Sequence, residues 1–556
     1  MAGGTSTIQQ TQTVAPRVGL FAGRRGRILR ENLTAYLFLF PATSLILVFG
    51  LFPVAFSLYV SLYRWRIRQS DFLGLGNYTR ALDNLAFVVA FGLAVGAIWF
   101  SVWLLIKTWR QARTAEETPW LLILPGVASG LAGLELLRYG VLVLPEILGI
   151  GEKVQRLEKT NELFVRLFSE ALQVETAVQA RQQALWLIVG AVVLQVVIHY
   201  IHPIKRTAYY LGQFFRITFF GVTGYLIGAF TLSSVQEAYT LAQEAGEPVS
   251  IWPQIISIAG GFLLVYFSWW VWNKASHQTG SGKMIGGLLA AIMLLGGGWL
   301  LIAELPLALS NGDEALWNGL RITAWYSFLT VPVQLALGMV LAYMLFQNIR
   351  GKSFFRMMYF LPYITPAVAA AAVFRIIFSN RPSGMMNKAW TFFGADPINW
   401  LLEPQSVFNI GPLEGPSLAL VVIILFNVWV FTGYNTIIFL AGLGSIPGSL
   451  YEAAEIDGAN RWHVFRHITI PLLSPTTYFL SVLGVIGTFK AFNHLYVLRQ
   501  SAALDTVDTM SLVIWDELFT RNRYGYAATL AFVLFGVILV LTLINNKVQG
   551  ERVFYG

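Results

Sequence analysis

A few residue clusters have the types and the spacing that chemistry requires. The run Gly280-Ser281-Gly282-Lys283 is similar to a phosphate-binding loop, yet such a loop needs glycine where His277 stands and serine or threonine where Met284 stands. His199 and His202 share one helical face and could chelate a metal ion, but the nearby sequence offers no acidic or third ligand, which favours an interfacial role. No nucleophile and base have a recognisable spacing. We therefore expect no catalytic residue and no metal site in this chain.

Glu135 and Arg138 form another pair of chemically active side chains, within an apolar stretch. Residues three apart face each other on a helix, and ionisable groups inside a membrane span usually pair or line a cavity. We expect this carboxylate and this guanidinium to bind each other rather than to conduct ions.

The elements that must position these side chains are membrane helices. The chain has 556 residues, of which 56% are hydrophobic and 12% charged, against about 25% charged in a soluble domain. Many apolar runs exceed about 18 residues, the length that spans a hydrocarbon layer of roughly 30 Å. Runs this continuous exclude a porin-type barrel, and the absence of cysteine excludes disulfides and thiolate sites. The composition predicts an all-α polytopic membrane bundle.

Twelve apolar runs bounded by charged residues, proline or glycine are long enough to be transmembrane helices. They are residues 34–63, 86–106, 119–148, 184–201, 207–232, 251–272, 284–305, 317–346, 357–378, 417–443, 476–498 and 525–545. The first run is too long for the core of a signal peptide, which has about 7 to 15 residues, so we expect it to be retained.

Basic residues collect in alternate loops, as the positive-inside rule requires. The formal charge of +9 is typical of basic loops that face anionic lipid rather than of nucleic-acid binding. The loops predicted to be inside contain Lys107, Arg110, Arg113, Lys205, Arg206, Lys274, Lys283, Arg350, Lys352, Arg356, Arg461, Arg466, Lys547 and Arg552. Only the arginine-rich loop after the first run disagrees. This distribution predicts that both termini are cytoplasmic.

Two long polar stretches lie on the predicted outer side. Residues 151–183 interleave acidic and basic residues, with apolar residues near heptad spacing, which predicts an exposed amphipathic helix. Residues 379–416 are rich in proline, glycine and asparagine, and contain Trp390 and Trp400, which suit a membrane interface. The second stretch predicts a compact loop that lies on the bundle.

The most organised polar segment is residues 445–475, between two apolar runs. Pro447-Gly448 ends the preceding helix, and Ser449 followed by Glu452 has the pattern of a capping box. Gly458 is placed to adopt the left-handed conformation that closes a helix of about two turns. The segment predicts a short rigid helix held crosswise between two spans.

The same segment carries a longer pattern. Tyr451-Glu452-Ala453-Ala454, Asp457-Gly458-Ala459 and Pro471-Leu472-Leu473 resemble the EAA signature of ATP-binding-cassette importer permeases. Other runs resemble permeases of the carbohydrate-uptake type, such as maltose and glycerol-3-phosphate importers: Gly74-Leu75-Gly76-Asn77-Tyr78, Trp317-Asn318-Gly319-Leu320-Arg321, Asp396-Pro397-Ile398-Asn399-Trp400 and Tyr524-Gly525-Tyr526-Ala527. The resemblance covers residues 31–82 and 315–556 and omits those between.

The resemblance implies a permease subunit that is not itself an enzyme. In that family the crosswise helix lies in a cleft of an ATPase subunit, and the residues implied to dock there are Glu452, Ala453, Ala454, Asp457 and Gly458. The implied partners are a second permease subunit, two ATP-binding-cassette ATPase subunits, an extracellular solute-binding protein and the lipid membrane, with no nucleic acid. ATP and Mg would be bound by the ATPase, with no cofactor in this chain. The implied location is a bacterial or archaeal inner membrane.

Polar and small residues on the helices that flank the signature are candidates for a substrate path. The candidates are Tyr434, Asn435, Gly484, Gly487, Thr488 and Ala491, most of them implied by the resemblance. Hydrogen bonding between helices is the alternative role for the polar ones. The chain departs from the family pattern at Arg499-Gln500-Ser501, where Gly-Gly-Pro is common.

The predicted organisation has four parts. Residues 1–33 are a tail, 34–84 the first core helix and an outer turn, 85–311 an insertion with six helices, and 312–556 five further core helices with the coupling loop 445–475. The six-helix core is thus interrupted by an even number of spans, which preserves the orientation of the later core helices. The 151–183 helix either contacts the solute-binding protein or belongs to a peripheral bundle.

These observations predict the membrane permease of an ATP-driven importer for a sugar or sugar-like solute. The main alternative is an ion-coupled secondary transporter that works without an ATPase, and it would show paired acidic residues at mid-membrane, of which few are present. An intramembrane enzyme is a second alternative and would need a catalytic cluster near one face.

Overall fold

The computed structural model describes residues 24–66, 69–154, 160–202, 204, 206–246, 251–277, 280–347, 349–411, 413–503 and 505–550. Most of the predicted tail, residues 1–23, and a segment near the start of the predicted 151–183 helix, residues 155–159, lie outside the described residues. The chain divides into two compact units, Met1–Val60 and Ser61–Gly556.

The described part of the first unit, residues 24–60, is one helix that is mostly apolar. It comprises α1 (Arg24–Leu45), a π-helical turn (Ile46–Leu51) and α2 (Phe52–Ser61), whose last residue belongs to the second unit. Across the described residues 30–61, no residue of the most apolar 18-residue stretch is buried. This helix coincides with the first predicted span, and its length and composition are typical of a membrane helix.

The second unit begins with a hairpin and the insertion. The hairpin consists of β1 (Tyr63–Trp65) and β2 (Gln69–Phe72), and it leads into α3 (Gly76–Leu82). Six long helices and one short helix follow: α4 (Leu85–Thr114), α5 (Ile123–Val154), α6 (Asn161–Ala171), α7 (Glu175–Ile201), α8 (Thr207–Glu244), α9 (Ile251–Ser276) and α10 (Ser281–Asn311). The six long helices coincide with six predicted spans.

Glycines bring the helices of the insertion close together. α4 packs against α8, α5 packs against α7 and α8, and α9 packs against α10. A Cβ on Gly224 of α8 would lie 2.8 Å from the Ala94 carbonyl oxygen of α4, and a Cβ on Gly297 of α10 would lie 2.8 Å from the Gly261 carbonyl oxygen of α9. Small residues allow this approach, so the insertion is a specifically packed bundle.

Hydrogen bonds between distant parts of the chain reinforce this packing. The Ser101 hydroxyl of α4 donates to the Ile217 carbonyl oxygen of α8 over 2.7 Å. The Asn84 amide, just before α4, donates to the Gln254 amide oxygen of α9 over 2.6 Å. Buried polar groups between membrane helices therefore have partners at these positions.

The core follows the insertion. Its elements are α11 (Glu314–Phe346), α12 (Lys352–Ile364), α13 (Ala367–Ile377), α14 (Met385–Phe392), β3 (Asn409–Ile410), β4 (Leu413–Glu414), α15 (Leu418–Gly444), α16 (Gly448–Ile456), α17 (Arg461–Val464), a π-helical turn (Phe465–Thr469), α18 (Ile470–Leu472), α19 (Ser474–Phe489), α20 (Asn493–Leu498), α21 (Met510–Trp515) and α22 (Tyr524–Gly550). α15 is central, because 67% of its most apolar stretch is buried, mainly against α11, α12 and α19.

The junction between insertion and core is held by polar contacts. Asp313 stands between α10 and α11, and its carboxylate accepts the Ala315 N–H over 2.8 Å and the hydroxyl of Tyr526 on α22. The Arg80 guanidinium of α3 lies 4.5 Å from the centre of the Tyr526 ring. Three distant parts of the second unit therefore meet at one tyrosine.

Two predicted spans are bent. Within the described residues, ten helices are long and apolar enough to cross a membrane, or twelve when each bent pair counts as one span. α12 and α13 meet at 95° where residues 357–378 were expected to form one helix, and the pre-proline residue Thr365 ends α12. The predicted run 476–498 is also divided, into α19 and α20. The all-α polytopic class is confirmed.

The 151–183 stretch differs from its prediction. It is divided among the end of α5, the short α6 and the start of α7, rather than forming one helix. The Thr160 hydroxyl accepts the Leu163 N–H and begins α6 anew. The Glu135–Arg138 pair does form as expected, with 3.4 Å between the carboxylate and the guanidinium.

Asn387 organises the 379–416 loop. This buried side chain donates to the carbonyl oxygens of Ser379, Arg381 and Ile398, over 3.3, 3.2 and 3.1 Å. Its own oxygen accepts the Ile398 N–H over 3.0 Å and the Trp400 indole N–H over 2.8 Å. This one amide thus links several parts of a loop that has little regular structure. Trp400 is buried against the amide, as expected for a compact loop.

Candidate functional site

α16 is a short helix with a well-defined C-terminal cap. Gly458 has a φ of +73°, which favours glycine, its N–H donates to the Glu455 carbonyl oxygen over 3.1 Å, and the Ala459 N–H donates to the Ala454 carbonyl oxygen over 2.9 Å. These two bonds form a Schellman motif. The closing role predicted for Gly458 is therefore correct.

The predicted capping box at the other end of α16 is wrong. The helix begins at Gly448, its N-cap is Pro447, and no side chain caps it. Ser449 thus lies inside the first turn rather than before it, because Pro447, with its fixed φ, takes the N-cap position two residues earlier.

The predicted docking residues lie mostly on the free face of α16. Glu452, Ala453, Asp457 and Gly458 are exposed, whereas Ala454 is buried and faces the chain itself. Ile456 is 86% exposed and was missed by the sequence analysis. An isoleucine next to the signature with that exposure is the apolar residue of this surface.

Side-chain contacts connect α16 to the membrane helices. The Tyr451 hydroxyl of α16 lies 3.3 Å from the Thr469 hydroxyl, in the π-helical turn that leads into α18 and α19. In the same turn, the Phe465 ring packs 4.7 Å from the Tyr343 ring of α11. α17–α18 and α19 meet at 61°. A displacement of α16 would therefore act on the base of α19 and on α11.

The candidate residues for a substrate path lie on α15, on α19 and just after α19, and several of them contact α11 or α12. Tyr434 is half-buried, and its ring stacks on that of Tyr363 in α12 with 4.7 Å between centres. Thr488 is buried and donates to the Ser327 hydroxyl of α11 over 2.7 Å. Thr488 thus makes the helix-to-helix bond that was the alternative to a path role.

The other candidates are packed less completely. A Cβ on Gly484 would lie 3.3 Å from the Gln334 amide nitrogen, whereas one on Gly487 would have no neighbour within 4 Å among the described residues. Asn435 is buried beside Gly338, and Ala491 is half-buried just after α19. Of the six candidates, Thr488 and Asn435 are therefore packed between helices, whereas Gly487 borders open space.

Two buried amides at this place have unsatisfied atoms. The Gln334 oxygen and the Asn435 nitrogen have no hydrogen-bond partner in the part of the chain that the structure describes, and each side chain is under 5% exposed. Buried polar atoms without partners are rare in folded proteins. Gln334 was not among the residues predicted from the sequence.

A second polar cluster joins α11, α15 and α20. The Tyr326 hydroxyl lies 2.7 Å from His494 Nε2 and accepts a hydrogen bond from the Asn427 amide, and all three side chains are buried. The Phe426 ring stacks on His494 with 5.3 Å between centres. The three polar partners come from three different helices and are brought together only by the packing.

Comparison with known proteins identifies the chain. Residues 334–549 match the family described as binding-protein-dependent transport system inner membrane components. The arabinooligosaccharide transport system permease of Bacillus subtilis is 33% identical over 238 residues, which are 43% of this chain and 71% of that protein. The chain belongs to this family.

Other similar proteins are also permeases. The lactose transport system permease of Rhizobium radiobacter is 32% identical over 246 residues, which are 43% of this chain and 78% of that protein. A chain in the crystal structure of a bacterial alginate ABC transporter, in complex with an alginate pentasaccharide-bound periplasmic protein, is 24% identical, with coverage of 44% of this chain and 81% of that chain and a TM-score of 0.40. The predicted resemblance to carbohydrate-uptake ABC permeases is confirmed.

The permease has an ionic cluster where its sequence departs from the family pattern. The Arg499 guanidinium donates to the Asp508 carboxylate over 2.6 Å and to the Asp516 carboxylate over 2.7 Å. Burial raises the pKa of Asp508, and the Arg499 charge opposes that shift. Arg499, which follows α20, is therefore linked to Asp508 just before α21 and to Asp516 just after α21. This ionic link stands where the family pattern commonly has Gly-Gly-Pro.

The metal site that the sequence analysis rejected lacks ligands in the permease as well. Among the described residues, no group of three or more His, Cys, Asp or Glu side chains could hold a metal ion. His202 Nε2 lies 3.4 Å from the Thr118 hydroxyl, and His199 packs against Tyr200. Both side chains are exposed, and the interfacial role expected for this pair stays a prediction.

Proposed function

We propose that this permease is the membrane subunit of an ATP-driven, binding-protein-dependent importer for a sugar or sugar-like solute. The observation that carries the proposal is α16, which presents Glu452, Asp457 and the 86%-exposed Ile456 on a short capped helix. A protein contact typically has an apolar centre and a polar rim, and α16 offers side chains for both. We infer that an ATPase subunit covers it.

Motion of α16 is transmitted along the contacts described above. Closure of the ATPase pair displaces α16, and the Tyr451–Thr469 contact passes the displacement to the bent α18–α19 junction. Because packed helices switch between discrete arrangements rather than deforming continuously, the displacement tilts α19 against α11. The solute site is thereby open first to one side of the membrane and then to the other.

The solute site lies between α11, α15 and α19. Gln334 and Asn435 support this, since each holds a buried polar atom that has no partner within the described part of the chain and can bind a hydroxyl group. Tyr434 and Tyr363 supply stacked aromatic rings beside them. Hydroxyl-binding amides near aromatic rings suit a carbohydrate, which is also what the names of the arabinooligosaccharide and lactose relatives state for those proteins.

The proposed assembly contains four kinds of subunit. This chain pairs with a second permease, two ATPase subunits bind ATP and Mg, and an extracellular binding protein delivers the solute. The chain itself carries out no catalysis and needs no cofactor for transport. Its location is a bacterial or archaeal inner membrane, with both termini cytoplasmic, which the loop charges support.

Transport in vesicles tests the proposal. The co-purified complex is reconstituted with ATP inside, and uptake is compared between the unchanged chain, Glu452→Arg and the control Glu116→Arg, an exposed glutamate between α4 and α5. We expect ATP-dependent uptake that Glu452→Arg abolishes and Glu116→Arg preserves. Uptake that an ion gradient drives without an ATPase would instead establish the secondary transporter.

A further inference from the structure

Two histidines lie one turn apart immediately after α16. His463 is in α17 and His467 is in the π-helical turn that follows, and both are exposed. Their rings are 5.7 Å apart between centres and 16° from parallel. The spacing of four residues places both side chains on the same face of the helical turn.

Hydrogen bonds fix which nitrogen of each ring is available. His463 Nδ1 lies 2.8 Å from the Asn460 side-chain oxygen, which also accepts the His463 backbone N–H over 2.8 Å. His467 Nδ1 lies 3.1 Å from the His463 carbonyl oxygen. Both contacts are to acceptors, so both Nδ1 atoms carry the proton and both Nε2 atoms present a lone pair.

This is the arrangement that metal-binding histidines use. A ligating imidazole almost always donates its other N–H to a carbonyl or carboxylate group, which sets the tautomer and the orientation of the ring. With Zn–N distances of about 2.0–2.1 Å, two imidazoles on one tetrahedral ion have ring centres roughly 5 Å apart. The observed separation of 5.7 Å between the ring centres is close to this value.

We propose that His463 and His467 bind one divalent cation of the kind that prefers imidazole, Zn²⁺ above all, through their two Nε2 atoms. No third His, Asp or Glu joins them among the described residues, so water or a docked subunit completes the coordination. The bound ion would clamp α17 to the π-helical turn. The cation site does not depend on the transport function proposed above.

Calorimetric titration of the purified full-length chain with Zn²⁺ tests this inference, in detergent and with an affinity tag that contains no histidine. The chain has no cysteine, so thiols cannot contribute. We expect one Zn²⁺ per chain, and an affinity at least about tenfold lower in His463→Ala and in His467→Ala. The double variant His199→Ala/His202→Ala is the matched control, and it should bind Zn²⁺ as the unchanged chain does.

Three results would overturn the inference: no Zn²⁺ bound, unchanged affinity in His467→Ala, or loss of binding in the control. Both histidines are exposed, so their alanine variants should fold, and gel filtration and circular dichroism confirm this before the titration. The titration uses the chain without its partners. Loss of transport in Glu452→Arg and loss of Zn²⁺ binding in His467→Ala are thus separate observations.

Discussion

At the scale of single residues, Asn387 contributes more to its surroundings than its exposed neighbours do. Its amide makes five hydrogen bonds to the 379–416 loop and is fully buried. Each bond in such a site contributes about 1 kcal/mol, and a lost partner leaves a buried group unsatisfied at a further cost. The loop should therefore depend on this one side chain.

We expect Asn387→Leu to lower the free energy of unfolding by about 3 kcal/mol, because leucine has a similar size but can neither donate nor accept. Thermal unfolding followed by tryptophan fluorescence measures this, with Trp400 as a local reporter. The exposed neighbour Lys388 provides the control Lys388→Ala, which should change stability by less than about 0.5 kcal/mol. Equal effects in both variants would contradict the role of Asn387.

Ile456 offers a second residue-level prediction, which rests on the proposed docking of α16. Ile456→Ser should leave the stability of the isolated chain within about 0.5 kcal/mol, since the side chain is 86% exposed. ATP-dependent uptake should fall at least about tenfold, because apolar residues at the centre of a contact contribute most of its energy. Val548→Ser near the end of α22, at a position that is 51% exposed, is the control. Normal uptake by Ile456→Ser would exclude this residue from the contact.

The sequence predicts local features of the site better than distant ones. Gly458 and the EAA residues lie within one short segment, so their spacing indicates a closed helix with an exposed face. The partners of Asn387 lie 6 to 13 residues away in a loop without periodicity, and those of Asn427 come from α11 and α20. Contacts between residues this far apart in the chain depend on how the elements pack, and a single sequence does not reveal that packing. His463 and His467 were detectable from their spacing and were missed.

At the scale of elements, α12 and α15 touch backbone to backbone. A Cβ on Gly433 of α15 would overlap the carbonyl oxygen of Tyr359 in α12. Both helices lie beside the Tyr363–Tyr434 stack. Any residue other than glycine at this position must move one helix away from the other, and with it one wall of the proposed solute site.

Gly433→Ala should therefore lower the free energy of unfolding by about 3 kcal/mol, the upper part of the range for overpacked interiors. Gly444→Ala is a control on the same helix, because a Cβ there would meet no atom within 4 Å among the described residues. Thermal unfolding of the two purified variants compares them. A Gly433→Ala variant as stable as Gly444→Ala would show that the two helices separate at little cost.

Apolar runs predict where membrane helices are but not where they bend. The six helices of the insertion and the central α15 coincide with predicted runs, since length and hydropathy determine them. The 95° bend between α12 and α13 and the break between α19 and α20 leave the run apolar, so a count of apolar residues misses them. The capping box is wrong because Pro447, two positions before Ser449, already starts the helix.

At the scale of the whole molecule, Tyr526 holds the second unit together. Its hydroxyl binds Asp313 at the end of the insertion, and its ring carries the Arg80 guanidinium. Lys547 of α22 also lies 4.1 Å from the centre of the Trp269 ring of α9. The insertion is thus attached to the last core helix at two points, 526 and 547, along its length.

We expect Tyr526→Phe to lower the free energy of unfolding by about 1–2 kcal/mol, because the Asp313 carboxylate loses a donor while the ring remains under Arg80. Tyr225→Phe, at a position on α8 that is 67% exposed, should change it by less than about 0.5 kcal/mol. Thermal unfolding in detergent compares the two variants. If Tyr526 does not hold the insertion in place, Tyr526→Phe and Tyr225→Phe will change the free energy of unfolding by the same small amount.

The nested pairing of α4 with α8 also has a consequence for biosynthesis. Ser101 binds an acceptor that is made 116 residues later, whereas α9 pairs with α10, the next helix to be made. At about 5–20 residues per second, the ribosome needs roughly 6 to 23 seconds to reach that acceptor. During this interval α4 has entered the bilayer with its small-residue face uncovered, so a membrane chaperone or the translocon itself would be most useful there.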